Sequence, residues 1–320
     1  MKTEALWYLG ERSIEFREMD IPEPAANEVA VEMEVCGICG WDVLSFAGRF
    51  GPFHSYPFTA GHEGVGRVIK VGEHVTTVKV GERVACHEVP IGQSGGALMA
   101  RHAIRTDQKV SVIPDGGIAL KHWVVEPVVC IVNGLVYSGI QPGDSVALVG
   151  AGYMGLIFMQ GLSRMLAGEV AVFDVDEKRL ALAKGMGASE TVRIGKDDLD
   201  PKHLKRYDVI IETAGNGDSM KLALSLAKSA AIIQNFAWHH HKHEFSLDDW
   251  HTNAWRIMNI QPGVNPHFGD LFPRTIKLMG NGVFSNEKLV THTAPFKDAV
   301  GIYTTALDRK DGYMKGVITF

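Results

Sequence analysis

The chain has 320 residues, enough for two domains and well above the size at which a fold needs disulfide or metal staples. Hydrophobic residues at 46% and charged residues at 22% exclude a disordered or low-complexity chain, and 32 basic against 37 acidic residues, a net charge of -5, argue against a nucleic-acid partner. No run of about 18 apolar residues is present to cross a bilayer, so no membrane partner is expected and the chain reads as soluble and cytoplasmic.

From Ala5 to about Val112, short β-branched runs punctuated by glycine (29–35, 64–72, 80–87) predict a compact all-β unit with turns at barrel-like spacing. Pro114, Asp115, Gly116 and Gly117 close it. Residues 123–139 then show apolar residues at helical spacing, with an interruption expected near Pro127. From Asp144 onward strand and helix patterns alternate: SVALVG, a helix from Tyr153, EVAVFDV, a helix from Glu177, then strands within 206–215, 229–237 and 255–260. That alternation predicts right-handed βαβ units and a parallel sheet. Two further helices, Phe272–Asn281 and Phe296–Leu307, and a last strand, MKGVITF, complete the chain. The expected division is therefore 1–127, 128–263 and 264–320, with the last segment returning to the first.

The parallel-sheet region carries the most specific motif. In SVALVGAGYMG the spacing G-x-G-x-x-G falls at Gly150, Gly152 and Gly155, directly after a strand and opening a helix. Gly150 suits the tight turn, Gly152 the close approach of backbone to a pyrophosphate, and Gly155 tight helix packing. Tyr153 and Met154 fill the remaining positions at the helix N-terminus, where negative charge is favoured. Asp174 stands 19 residues beyond Gly155, near the spacing of about 20 at which a carboxylate receives ribose hydroxyls. A 2′-phosphate would meet Asp174 and Asp176 with no arginine before Arg179, so the expected cofactor is NAD rather than NADP.

The all-β region holds a second constellation, CGICGWD (36–42) and GHEGVG (61–66). Cys39 and His62 are soft and borderline donors suited to zinc, and neither segment has a helical pattern that would make them core filler. Cys36-x-x-Cys39 alone also fits a redox pair or half of a zinc ribbon, although no second C-x-x-C completes one. The four cysteines, Cys36, Cys39, Cys86 and Cys130, do not form a secreted disulfide framework.

Taken in order, CGICGWD, GHEGVGRV, VEPVV, the nucleotide fingerprint and the closing stretch from Thr291 to Ile318 resemble the zinc-dependent medium-chain dehydrogenase/reductases, most of all the polyol, sugar and threonine dehydrogenase branch. The resemblance implies an α/β chain with a GroES-like β-barrel catalytic domain and a Rossmann domain. It makes Cys39 and His62 zinc ligands, Glu63 a direct or exchangeable ligand, and Glu126 a third acidic ligand or the holder of a metal-bound water. Asp42 fits the carboxylate that orients the ligating histidine, and Lys315 a basic residue that can approach the cofactor pyrophosphate, with a solvated charge the plainer reading. Cys130 rivals Glu126 at the wrong spacing and reads better as a small buried hydrophobe.

Two departures from the family pattern stand out. Between Gly81 and Pro114 only Cys86 remains where members usually carry four cysteines, so one catalytic zinc and no structural zinc is expected. The positions that usually carry a relay hydroxyl and a following histidine are Trp41 and Leu44, which cannot pass a proton. Ser45, His54, Glu63 or a water chain would have to substitute, and Trp41 becomes either a platform for a sugar ring or a cavity-narrowing group.

The implied activity is hydride transfer between a secondary alcohol of a polyol, sugar or related compound and NAD. The alternatives are reduction of a conjugated C=C or C=N bond, or transient oxidation within an elimination or epimerisation, and a non-enzymatic nucleotide binder is a third. His239, His240, His241 and His243 follow a strand end and read as a substrate-contacting loop, an adventitious metal binder or a solvated loop. WRIMNI, the last strand of the parallel sheet, is the candidate edge for a homodimer or homotetramer.

Overall fold

The computed structural model describes residues 1–49, 55–87, 97–195 and 199–320. These divide into two compact units, Met1–Val129 with Pro266–Phe320, and Cys130–Asn265. His54 and the segment 88–96 lie outside the described residues.

The first unit begins with β1 (Lys2–Gly10), β2 (Ser13–Asp20), β3 (Glu28–Ile38), a short helix α1 (Gly40–Phe46), β4 (Phe58–Thr59) and β5 (Glu63–Val71). It continues through β6 (Arg83–Cys86), β7 (His102–Thr106) and β8 (Val110–Val112) to the start of α2 (Glu126–Val136). Alternation along β3 sends Val29, Val31 and Met33 into a core shared with Leu6, Tyr8, Val68, Val84 and Leu98, the period-2 burial expected of strands with one solvated face. Cys36 and Cys86 belong to this core as free thiols, so Cys36-x-x-Cys39 is not a disulfide.

Pro127 is the second residue of α2 and does not interrupt it. A proline in the first helical turn gives up an N–H that has no partner there in any case, so the expected break becomes a helix start. The run 36–42, expected to be non-helical, instead enters α1 at Gly40, with Cys39 as its N-cap.

The second unit is a doubly wound sheet. Its elements are β9 (Ser145–Val149), α3 (Tyr153–Leu162), β10 (Glu169–Asp174), α4 (Glu177–Gly185), β11 (Glu190–Arg193), β12 (Tyr207–Glu212), α5 (Gly217–Leu226), β13 (Ala227–Asn235), α6 (Leu247–Asn253) and β14 (Arg256–Asn259). The strand order β11-β10-β9-β12-β13-β14 is all parallel, so the order reverses between β9 and β12, where such sheets bind ligands. Val149, Phe173, Ile210 and Ile233 fill its core.

The chain then returns to the first unit with α7 (Leu271–Gly280), β15 (His292–Pro295), α8 (Ala299–Asp308) and β16 (Gly316–Thr319). β16 pairs antiparallel with β3, placing Gly316 opposite Ile38 and carrying Lys315 to the strand end from which Cys39 emerges.

Candidate active site and nucleotide loop

Cys39 leaves β3 and caps α1, its backbone N–H donating to Asp42 Oδ2 at 2.9 Å. His62 and Glu63 sit where the chain enters β5, and Glu63 stands directly opposite Gly37 in the β3–β5 ladder. The ladder therefore brings together residues that are distant in sequence. One donor atom each from Cys39, His62 and Glu63 lies within 4.8 Å of the others.

Gly37 makes the space. A Cβ there would fall 2.0 Å from Glu63 Oε2 and 2.7 Å from Val124 Cγ1, so only glycine lets the carboxylate occupy this position. A thiolate, an imidazole and a carboxylate are a donor set that suits zinc, and the cradle at Gly37 admits the third of them. Cys39 and His62 are partly exposed and Glu63 is buried, so the cluster has both a reachable side and a dry side.

Asp42 is fully buried in the first turn of α1. Besides the Cys39 amide, it accepts a hydrogen bond from the Tyr8 hydroxyl at 3.4 Å and lies 3.9 Å from His62 Nδ1. Burial raises its pKa and the His62 charge opposes that. Burial also works against charge on His62, but Asp42, Cys39 and Glu126 outweigh it and hold the imidazole's pKa well above the ordinary value. Burial pushes the Cys39 thiol up, and the hydrogen bond and charge of His62 pull it back.

Glu126 opens α2 and is buried. It bears on His62 through its charge, while the close cluster of donor atoms comprises only Cys39, His62 and Glu63 among the described residues.

Lys315 departs from both of its sequence readings. It is 3% exposed, and its Nζ lies 2.7 Å from Glu63 Oε1 and 2.5 Å from Oε2. It is neither a solvated charge nor an ammonium free to seek a phosphate, because the β16–β3 pairing delivers it to a buried carboxylate. Nothing local in the sequence around Lys315 announces this partner, 252 residues away.

Trp41 is 9% exposed and packs against Phe58 at 6.0 Å and edge-on to His62 at 6.2 Å between ring centroids. Ser45 is fully buried, and its Oγ has no hydrogen-bond partner among the described residues. Cys130 is buried on α2.

In the second unit, Gly150 has φ of 99° and a Cβ there would lie 2.8 Å from Thr213 Oγ1. Gly155 faces the Gly150 carbonyl, with only 2.0 Å available to a Cβ. Gly152 caps α3 and has open space beside it, the surface a pyrophosphate would approach. Tyr153 and Met154 begin the helix. Asp174 ends β10, its two oxygens accepting the Ala151 N–H at 2.6 Å and the Asp176 N–H at 2.9 Å. A carboxylate has about four lone-pair sites, so capacity remains for ribose hydroxyls. Arg179 on α4 lies 3.9 Å from Asp176.

Family models place this chain. Residues 25–133 match the alcohol dehydrogenase GroES-like domain and residues 154–271 the zinc-binding dehydrogenase domain. The chain is 31% identical to S-(hydroxymethyl)glutathione dehydrogenase of Synechocystis, over 90% of this chain and 91% of that one. It is 24% identical to L-galactonate-5-dehydrogenase of Escherichia coli, over 97% and 96%. A solved short chain alcohol dehydrogenase from Escherichia coli, complexed with NADH, superposes with a TM-score of 0.87 at 26% identity, covering 100% of this chain and 99% of that one. The chain belongs to the zinc-dependent alcohol dehydrogenase family of medium-chain dehydrogenase/reductases, with a GroES-like domain and a Rossmann domain. Among the described residues no helix is long and apolar enough to cross a membrane.

Proposed function

We propose that this protein is a zinc- and NAD-dependent dehydrogenase of a secondary alcohol in a polyol, sugar or related hydroxy compound. The observation that carries the reading is the gathering of Cys39, His62 and Glu63 donor atoms within 4.8 Å over the cradle left by Gly37. A relative named for L-galactonate supports the substrate class, and structural neighbours named with NADH and with NADP support a nicotinamide cofactor.

Zinc, when bound, supplies Lewis acidity that lowers the pKa of an alcohol, and NAD supplies the hydride acceptor. The chain's own residues do the rest. Cys39 and His62 would hold the metal from the partly exposed side, with Glu63 a direct or exchangeable ligand on the buried side. Lys315 balances the Glu63 charge, without which a buried carboxylate would be costly. Asp42 fixes the Cys39 amide and faces His62, holding both ligands in position.

Of the groups offered for the alcohol's proton, Ser45 has its Oγ buried without a hydrogen-bond partner among the described residues, whereas Glu63 stands in the donor cluster itself with its charge balanced by Lys315. Trp41, almost wholly packed against Phe58 and His62, narrows the approach rather than presenting a broad face to a sugar. On the nucleotide side, Gly150, Gly152 and Gly155 shape the loop and Asp174 takes the ribose, which selects NAD over a 2′-phosphorylated cofactor. The reading includes a homodimer or homotetramer, supported by β14 standing at the edge of its sheet.

Replacing Cys39 by Ala is expected to remove bound zinc and turnover together while leaving NAD binding intact. Full turnover in that variant would reject the zinc mechanism. Retained zinc and NAD binding in the wild type, with no alcohol oxidised from any pool, would instead favour the reductase or transient-oxidation chemistry suggested by Trp41 and Leu44.

A further inference from the structure

The second unit contains a histidine arrangement that the dehydrogenase reading does not use. Glu212 ends β12 with no exposed surface. Its Oε1 accepts the N–H groups of Ala214 and Gly215, both at 2.8 Å, so the carboxylate is fixed by backbone. Its Oε2 lies 3.0 Å from His239 Nε2. With the Glu212 oxygen accepting, His239 donates from Nε2 and turns its Nδ1 toward His243.

That Nδ1 is 3.0 Å from His243 Nε2, with the two rings at 87°. Gly217 leaves room for the His243 ring, whose Nδ1 lies 3.1 Å from where a Cβ would be. Two imidazole nitrogens bound tetrahedrally to one ion at about 2.0–2.1 Å stand roughly 3.3 Å apart. The observed pair is therefore within a few tenths of an ångström of a chelating geometry. A carboxylate behind the second nitrogen of a ligating histidine is the arrangement that fixes the tautomer and strengthens the donor.

His239, His241 and His243 line one cavity of about 280 Å³. Asn235 lines it too, and its Oδ1 is buried without a hydrogen-bond partner among the described residues, an acceptor available to a water completing an ion's coordination. His240 is turned away onto Trp238, with ring centroids 5.0 Å apart.

We propose that His239 Nδ1 and His243 Nε2, backed by Glu212 and completed by water from the cavity, form a second metal site for a borderline divalent transition ion. Imidazole donors without thiolate suit zinc, nickel or copper rather than calcium or magnesium. The bound ion ties the loop after β13 to the end of β12. The site lies wholly within Cys130–Asn265.

The test is zinc titration of the full-length, chelator-stripped protein by calorimetry, with equilibrium dialysis and elemental analysis for stoichiometry. His243→Gln is expected to lose one equivalent of zinc bound at micromolar or tighter affinity, whatever the Cys39 cluster does. Cys39→Ser is expected to keep that equivalent, and Glu212→Gln to weaken it by about 10–100-fold. His240→Gln is expected to change nothing.

Uptake unaffected by His243→Gln, or lost equally with His240→Gln as in a flexible histidine tract, would overturn the proposal. Should a variant fail to fold, the wild type still decides. Zinc is expected to protect His239 and His243, but not His240, from histidine acylation mapped by mass spectrometry, and equal labelling of all three with and without zinc would overturn it.

Discussion

Gly37 and Glu63 face each other across the β3–β5 ladder, and a Cβ on Gly37 would lie 2.0 Å from Glu63 Oε2. Gly37→Ala must therefore displace the carboxylate, the Val124 side chain or the strand. The expected cost is about 1–3 kcal/mol of stability, together with weakened zinc binding, read by denaturant unfolding and metal content. Unchanged stability and unchanged zinc would show that Glu63 has another position open to it. Neither the Glu63–Gly37 complementarity nor the Lys315–Glu63 pair is legible in the sequence, because both arise from strand register and not from spacing along the chain. The sequence offers Cys39 and His62 as soft and borderline donors by residue type, and Glu63 only through the family resemblance; the structure brings the three donor atoms within 4.8 Å.

His87 gives a pH prediction at the same scale. It is buried, stacked on Phe272 at 3.8 Å and bonded through Nε2 to Ser111 Oγ at 2.8 Å. Burial, with Lys109 and Arg105 adding to it, pushes its pKa down to about 3. Between that value and the ordinary 6.5, the unfolded chain holds a proton that the folded one does not. Stability therefore falls as pH falls through that window. From pH 7 to pH 5 His87 should contribute a loss of about 2 kcal/mol. His87→Gln, which keeps a donor for Ser111, should lose correspondingly less over the same range in urea titrations. Parallel curves for the two proteins would contradict the assignment.

At the scale of elements, α1 shows how a short segment escapes sequence reading. Seven residues give too few turns for a hydrophobic period to register, and a helix of that length depends on packing instead of propensity. Its capping matters more than its length, because the Asp42 side chain that closes the first turn also faces His62. The β9–α3 turn was legible in advance because its three glycines answer to backbone constraints that leave a mark in sequence. Gly155→Ala places a methyl 2.0 Å from the Gly150 carbonyl, a backbone atom that cannot step aside. Fluorescence titration should show NADH affinity reduced at least tenfold with zinc content unchanged. Undiminished affinity would mean that α3 can shift without disturbing the loop. Asp174→Ser removes charge-assisted bonds worth about 1.5–3 kcal/mol, so NADH affinity should fall by roughly 10–100-fold while NADPH binding improves in relative terms. No change in that preference would remove Asp174 as the selector.

For the whole molecule, the switch from β-rich to alternating strand and helix patterns near Asp144 announced two kinds of architecture, and the described residues divide at Val129 and Pro266. The return of the chain to the first unit is what carries Lys315 to Glu63, so the surroundings of the Cys39, His62 and Glu63 cluster draw on both ends of the sequence. A chain organised in this way concentrates its chemistry in few groups, and the claim on which the rest depends is that Cys39, His62 and Glu63 hold a zinc ion required to oxidise an alcohol. The most direct test is NADH formation from NAD and pooled polyols, sugars and simple secondary alcohols, followed before chelation, after chelation and after zinc is restored. NADH formation that disappears with the metal and returns with it is the predicted result. Oxidation that proceeds undiminished in metal-free protein would contradict the account.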